Sequence, residues 1–155
     1  MHCVSKYIVN QAVENQINTI VIGQNKGWKQ ETNIGKKNNQ NFTQIPHSNL
    51  VNMIKYKAEL QGINVILQEE SYTSKASFFD NDKIPVYKKD DEKVYIFSGK
   101  RVYRGLYKSK NRLMLNADVN GSLNILRKYL KCNCDEIISP ADIGLVVNPV
   151  KVKIT

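Results

Sequence analysis

Apolar residues recur at helical spacing from the first turn of the chain. Val4, Ile8, Val9, Ala12 and Val13 share one face and predict an amphipathic helix over residues 3–16. The polar run Asn15 to Asn18 ends it, and Thr19-Ile20-Val21-Ile22 reads as a short β-branched strand closing at Gly23. Periodicity then disappears over residues 24–46, which predicts a long loop. Ser48 is placed to cap a second helix over 49–61, with Leu50, Met53, Ile54 and Ala58 on one face and Gly62 as its stop. A second strand, Ile63 to Leu67, runs into Gln68-Glu69-Glu70. Residues 71–115 mix polar and aromatic positions, with a hairpin expected where Val94-Tyr95-Ile96-Phe97 meets Ser98-Gly99. A third helix begins near Asn116 and is expected to bury Val119, Leu123, Leu126 and Leu130. The alternation from Val150 to Ile154 suits an edge strand. The order helix, strand, helix, strand, helix predicts an α/β layer. Two short strands are too few for a complete sheet, so a further part is expected upstream.

Composition narrows the class. The chain has 155 residues, long enough for one domain with its own core, and 41% hydrophobic residues argue against disorder. Gly 8 and Pro 4 rule out a collagen-like chain. No run approaches the roughly 20 apolar residues of a membrane span, and the start does not resemble a secretory signal. Three cysteines, two of them at 132 and 134, argue against a disulfide framework and point to a reducing cytoplasm. The formal net charge of +9 suggests a nucleic-acid partner. Arginine occurs only at 101, 104, 112 and 127, so a solvated lysine surface is the plainer alternative.

Two carboxylates carry the candidate chemistry. Glu70 lies just past a buried strand, where open α/β sheets place functional groups, and Asp118 lies in the first turn of the last helix. Brought together, two such groups repel unless a divalent cation sits between them, the arrangement metal-dependent nucleases use against phosphate. The structural alternative is a solvated Glu70 and an Asp118 that only favours a helix N-terminus.

Three segments resemble the OrfB/TnpB transposase family: Thr19 to Gln30, Glu69-Glu70 followed by Tyr72-Thr73-Ser74-Lys75-Ala76-Ser77, and Asn116 to Ile125. The resemblance runs through essentially the whole chain in order. It implies an RNA-guided DNA endonuclease of small insertion sequences, similar to type V CRISPR nucleases. Its RuvC-like domain of RNase H type cuts with three acidic residues and Mg²⁺. The family's last catalytic aspartate falls on Asp118, in the Asp-x-Asn pattern. Its middle glutamate would follow Thr19–Ile22, where this chain has Gly23. A branch of the family instead carries an acid before Tyr-Thr-Ser, which makes Glu70 the stand-in and Glu69 the alternative. Strand alternation allows only one of the two to face a metal. The first aspartate belongs to a hairpin not found in this sequence, so the chain reads as the C-terminal part of a transposase. The expected layout is an incomplete RuvC-like core over 1–70, an insert over 71–115, the final helix over 116–130 and a tail over 131–155.

Many relatives hold the insert with a four-cysteine zinc ribbon, but Ala76 to Leu115 contains no cysteine. No zinc is expected, and Phe78, Phe79, Tyr87, Tyr95 and Phe97 are expected to pack the insert together. Lys75, Lys100, Arg101, Arg104 and Lys108 are nucleic-acid candidates, interleaved with Tyr103 and Tyr107 in a mixture suited to phosphates and bases or to a solvated rim. Lys26, Trp28 and Lys29 open the long loop, where the tryptophan could stack on a base or plug the core. His2 and His47 are isolated. The resulting expectation is a DNA-binding fragment whose intact form uses Mg²⁺, a guide RNA and possibly a separate upstream chain, and which does not cut alone. A non-catalytic binding module and a decayed remnant of a mobile element are the alternatives.

Overall fold

The computed structural model describes residues 1–24, 47–88, 93–139, 143, 144 and 152. They fall into two compact units, one ending at Leu67 and also holding Val152, the other beginning at Gln68. Lys26, Trp28, Lys29 and the strand expected at 150–154, except exposed Val152, lie outside the described residues. No helix among the described residues is long and apolar enough to cross a membrane.

In the first unit α1 (His2–Glu14) packs on α2 (His47–Glu59), and β1 (Thr19–Gln24) is hydrogen-bonded beside β2 (Asn64–Glu69). The helical stripe does what its spacing predicts. Val9, Ala12, Ile54, Ala58 and Ile63 form the core, with Ile8, Ile20, Ile22, Leu50 and Val65 against it. Each large aliphatic side chain so buried contributes about 1.5–3 kcal/mol. Val13, expected inside, is exposed, and Ser5 is buried in the helix interface instead. Lys57 Nζ explains Ser5: it donates to Ser5 Oγ at 2.7 Å and to the His2 carbonyl at 2.8 Å, tying the two helices together. The chain leaves α2 through Gly62 into β2, which carries it towards the second unit.

The second unit holds an antiparallel sheet of β3 (Lys100–Tyr103), β4 (Leu106–Lys108) and β5 (Met114–Asn116), in that order, followed by α3 (Ala117–Leu130). The hairpin is not at 94–99. Residues 93–97 form no regular strand, and the turn is at Arg104-Gly105, where Gly105 has φ +80°, a conformation glycine adopts without strain. Gly99 has a different task. A Cβ there would lie 2.6 Å from the Tyr107 ring, so only glycine lets the chain pass that close. Tyr107 and Leu115 face each other across β4 and β5 and, with Ala117, form the core. Tyr107 is thus fully buried rather than offered to a base, and its hydroxyl donates to the Lys75 carbonyl at 2.7 Å. Burial first, then the negative charges of Asp82 and Asp80, push its pKa up to about 12, which keeps that donor protonated.

Helix α3 buries a polar face more deeply than the expected apolar one. Leu130 is exposed and Val119, Leu123 and Leu126 are half-buried, whereas Ala117, Asn120, Gly121, Asn124 and Arg127 are inside. The reason is what lies against them: an irregular segment whose backbone groups need partners. Asn120 Nδ2 donates to the Ala76 carbonyl at 2.8 Å and its Oδ1 accepts from the Phe78 N–H at 3.1 Å. Asn124 Nδ2 donates to the carbonyls of Thr73 and Ala76 at 2.9 and 2.8 Å. Arg127 donates to the carbonyls of Phe78 and Asp82.

The insert is held by two carboxylates as well as by rings. Asp82 accepts from the N–H groups of Ser77 at 2.8 Å and Ser98 at 3.0 Å, and from the Ser98 hydroxyl. Asp80 accepts from the Ser77 hydroxyl and from the Lys110 N–H at 2.7 Å. Phe78 packs edge-on to Phe79, and Tyr95 and Phe97 pack on Tyr72 at 5.3 and 6.2 Å between ring centroids. Tyr87, expected among them, is exposed.

Candidate functional site

Strand β2 ends on Glu69, and Glu70 opens a tight turn. The two glutamates differ in their surroundings. Glu69 forms an ion pair with Lys128 Nζ and accepts the Ser71 N–H at 2.7 Å. Lys128 also donates to the carbonyls of Ser71 and Pro85. Burial pushes the Glu69 carboxyl up, but the hydrogen bonds from Lys128 and Ser71 and the charge of Lys128 outweigh it and leave the pKa lowered. A lowered carboxyl pKa contributes stability above its ordinary value and loses it as pH falls through the shifted one. Stability is therefore expected to drop as the pH falls from the ordinary carboxylate range through the lowered Glu69 value, and that drop should flatten in Glu69→Gln. Equilibrium denaturation across that range checks it; an unchanged slope in the variant would dissociate Glu69 from the effect.

Glu70 is half-buried, and its carbonyl accepts the N–H and hydroxyl of Thr73 at 3.2 and 2.8 Å. Tyr72 follows at φ +64°, left-handed backbone that an aromatic residue seldom adopts. The carbonyl of Tyr72 accepts from the N–H groups of Lys75 and Ala76, so the turn is closed on both sides. The side chains of Asn120 and Asn124 then fasten this same turn to α3.

Asp118 is in the first turn of that helix, as its spacing predicts. Asn116 is the N-cap, its side chain accepting from the N–H groups of Asp118 at 2.8 Å and Val119 at 3.2 Å. The Asp118 carboxylate is 89% exposed and lies 4.0 Å from the Arg101 guanidinium. Among the described residues no three acidic, histidine or cysteine side chains gather as a metal site would require. Glu70 and Asp118 offer oxygen donors suited to Mg²⁺, but they are an incomplete set, and no step of phosphodiester chemistry follows from them alone. Cys134 is buried beside the Phe79 carbonyl and Asp135, and burial first, then Asp135, raises its thiol pKa.

The cationic candidates spread over the hairpin and its neighbour turn. Lys75, Lys100, Arg101 and Arg104 are exposed, and Lys108 is half-buried. Lys100 and Lys108 face each other across the β3–β4 ladder, an arrangement of like charges that an anion would relieve. Tyr103 is 75% exposed, and Lys75 Nζ lies 5.9 Å from the Tyr72 ring centroid. The sequence reading missed Asn120, Asn124, Arg127 and Lys128, whose positions at helical spacing beside Asp118 were the available signal.

Fold and site define a mixed α/β chain in which a short sheet and a turn are fastened to a helix carrying an exposed aspartate. Residues 47–125, just over half of the chain, match the family model described as Cas12f1-like, TNB domain, and the chain belongs to that Cas12f1-like family, related to TnpB. The match includes Glu70 and Asp118. Among solved structures, the fold is similar to the cryo-EM structure of a Cas12f1–sgRNA–target DNA complex, with a TM-score of 0.53 and 19% identity over 84% of this chain. The chain spans 33% of that protein's length. No curated protein matches the sequence.

Proposed function

We propose that this chain is the nucleic-acid-binding part of a TnpB-related, RNA-guided DNA endonuclease of a mobile element, and that it contributes Glu70 and Asp118 to the cutting centre. The observation that carries this reading is the fastening of the Asp118 helix, through Asn120 and Asn124, to the turn that begins at Glu70. Both carboxylates then sit on one framework, as a cutting centre needs. On this reading the flanking elements belong to an incomplete RuvC-like, RNase H-type core, and 71–115 is an insert that dispenses with zinc. The partners are DNA and a guide RNA, the cofactor of the completed enzyme is Mg²⁺, and the setting is the cytoplasm. At least one further carboxylate comes from an upstream segment. Glu70 is preferred to Glu69 because it opens the turn that Asn124 and Asn120 fasten to the Asp118 helix.

The pairing of Asp118 with Arg101 favours a second reading, a binding module without catalysis. The experiment that separates the two uses purified chain, guide RNA, target DNA and Mg²⁺, with and without an upstream segment from a related intact element. The chain alone should bind DNA with an affinity that falls steeply with salt and should not cut. Cutting should appear with the upstream segment. Cleavage by the bare chain, or none in the completed one, would overturn the endonuclease reading.

A further inference from the structure

We infer that the cleft between the Ser74–Lys75 turn and the approach to β3 holds one nucleotide of a single-stranded nucleic acid, its base stacked on Phe97 and its phosphate gripped by Lys75, Lys100 and Arg101. The inference rests on the nucleic-acid-binding reading above and adds where and how a strand is held. The cleft has a volume of about 490 Å³, within the range of small-molecule sites. Three cationic side chains line it and no carboxylate does, so its chemistry selects an anion. Phe97 contributes an aromatic surface and is buttressed from within by Tyr72, which itself packs on Tyr95. An aromatic ring beside clustered cations is the combination that holds unpaired bases without regard to sequence. A duplex hides the base faces, so the occupant is single-stranded.

Two features give the cleft a fixed shape. Tyr107, itself buried, underlies the cleft, and the missing side chain at Gly99 lets the chain settle onto that ring. The Tyr107 hydroxyl holds the Lys75 carbonyl, which fixes the opposite wall. Arg101 links the cleft to the candidate cutting centre, since its guanidinium is 4.0 Å from the Asp118 carboxylate. A pair this exposed is weak. A phosphate entering the cleft can draw Arg101 from Asp118, which leaves the strand beside that carboxylate.

The test measures binding of the full chain to short oligothymidylate and oligouridylate, each also made with one 2-aminopurine, whose fluorescence falls when the base stacks. Wild-type protein should quench the probe, and the tighter oligonucleotide names the strand. Phe97→Leu keeps an apolar side chain and should weaken binding about tenfold while abolishing quenching. Arg101→Gln with Lys75→Gln alters two exposed side chains without touching the core. The pair should weaken binding about tenfold or more and reduce the salt slope by about one to two. This variant decides the matter even if Phe97→Leu misfolds. Lys83→Gln, an exposed cation that does not line the cleft, should leave quenching intact. Salt-dependent binding with full quenching in the cleft variants would overturn the cleft and leave the nucleic-acid reading standing. No binding to either oligonucleotide at low salt would overturn both.

Discussion

Asn120→Ala is expected to destabilise the second unit by about 2–4 kcal/mol. Asn120 is fully buried, and its amide satisfies the Phe78 N–H and shares the Ala76 carbonyl with Asn124. Alanine removes both bonds, strands the Phe78 donor away from water and leaves a small void. A lost hydrogen bond costs about 1 kcal/mol, and a stranded buried donor adds about 1–3 kcal/mol. For a domain of this size each kcal/mol shifts the melting temperature by about 4–8 °C, so a fall on the order of 10 °C or more is expected in a circular-dichroism melt. Leu130→Ala, on the exposed end of the same helix, should stay within about 0.5 kcal/mol of the parent. If the leucine change proved the costlier, the polar interior of α3 would be wrong.

In a nuclease completed by an upstream segment, Asp118→Ala and Glu70→Ala should each reduce cleavage by on the order of 10²–10³-fold or more, the usual cost of removing one charge-stabilising group. DNA affinity should change little, because it depends on the lysines and arginines; release of Arg101 from Asp118 would if anything strengthen it. Glu69→Gln should act otherwise, lowering stability through the loss of its Lys128 pair while leaving the cutting step of the folded fraction near normal. Single-turnover cleavage beside a binding titration reads both quantities. Loss of cleavage in Glu69→Gln with Glu70→Ala active would exchange the roles of the two glutamates, and full activity in Asp118→Ala would remove it from the site.

The elements set by hydrophobic period were legible in the sequence. The helices and strands of the first unit lie within a few residues of their expected bounds, because Val9, Ala12, Ile54 and Ala58 bury one face against each other. The last helix was placed correctly but turned the wrong way. The period puts its leucines inside, yet the segment from Thr73 to Asp82 turns backbone carbonyls to the helix, and Asn120, Asn124 and Arg127 donate to them. The hairpin was missed for a related reason. Val94 to Phe97 alternates like a strand, but Tyr95 and Phe97 are inward because they pack on Tyr72, not because a ladder fixes them. Strand β5 has three residues, too few to carry a period. Glu70 and Asp118 could be singled out from sequence and resemblance. That Glu69 is engaged elsewhere could not, because Lys128 is 59 positions away.

The carboxylate clasp of Asp80 and Asp82 has a chemical consequence. Its links to Ser77, Ser98 and Lys110 are made of oxygen, nitrogen and shared hydrogens, atoms with no affinity for a chelator and nothing for a mild oxidant to attack. Those links are hydrogen bonds, which form and break without an ion entering or leaving them. A thiolate clasp ties the shape of its loop to the metal supply and redox state of the cell. The five hydrogen bonds to Asp80 and Asp82 carry neither dependence.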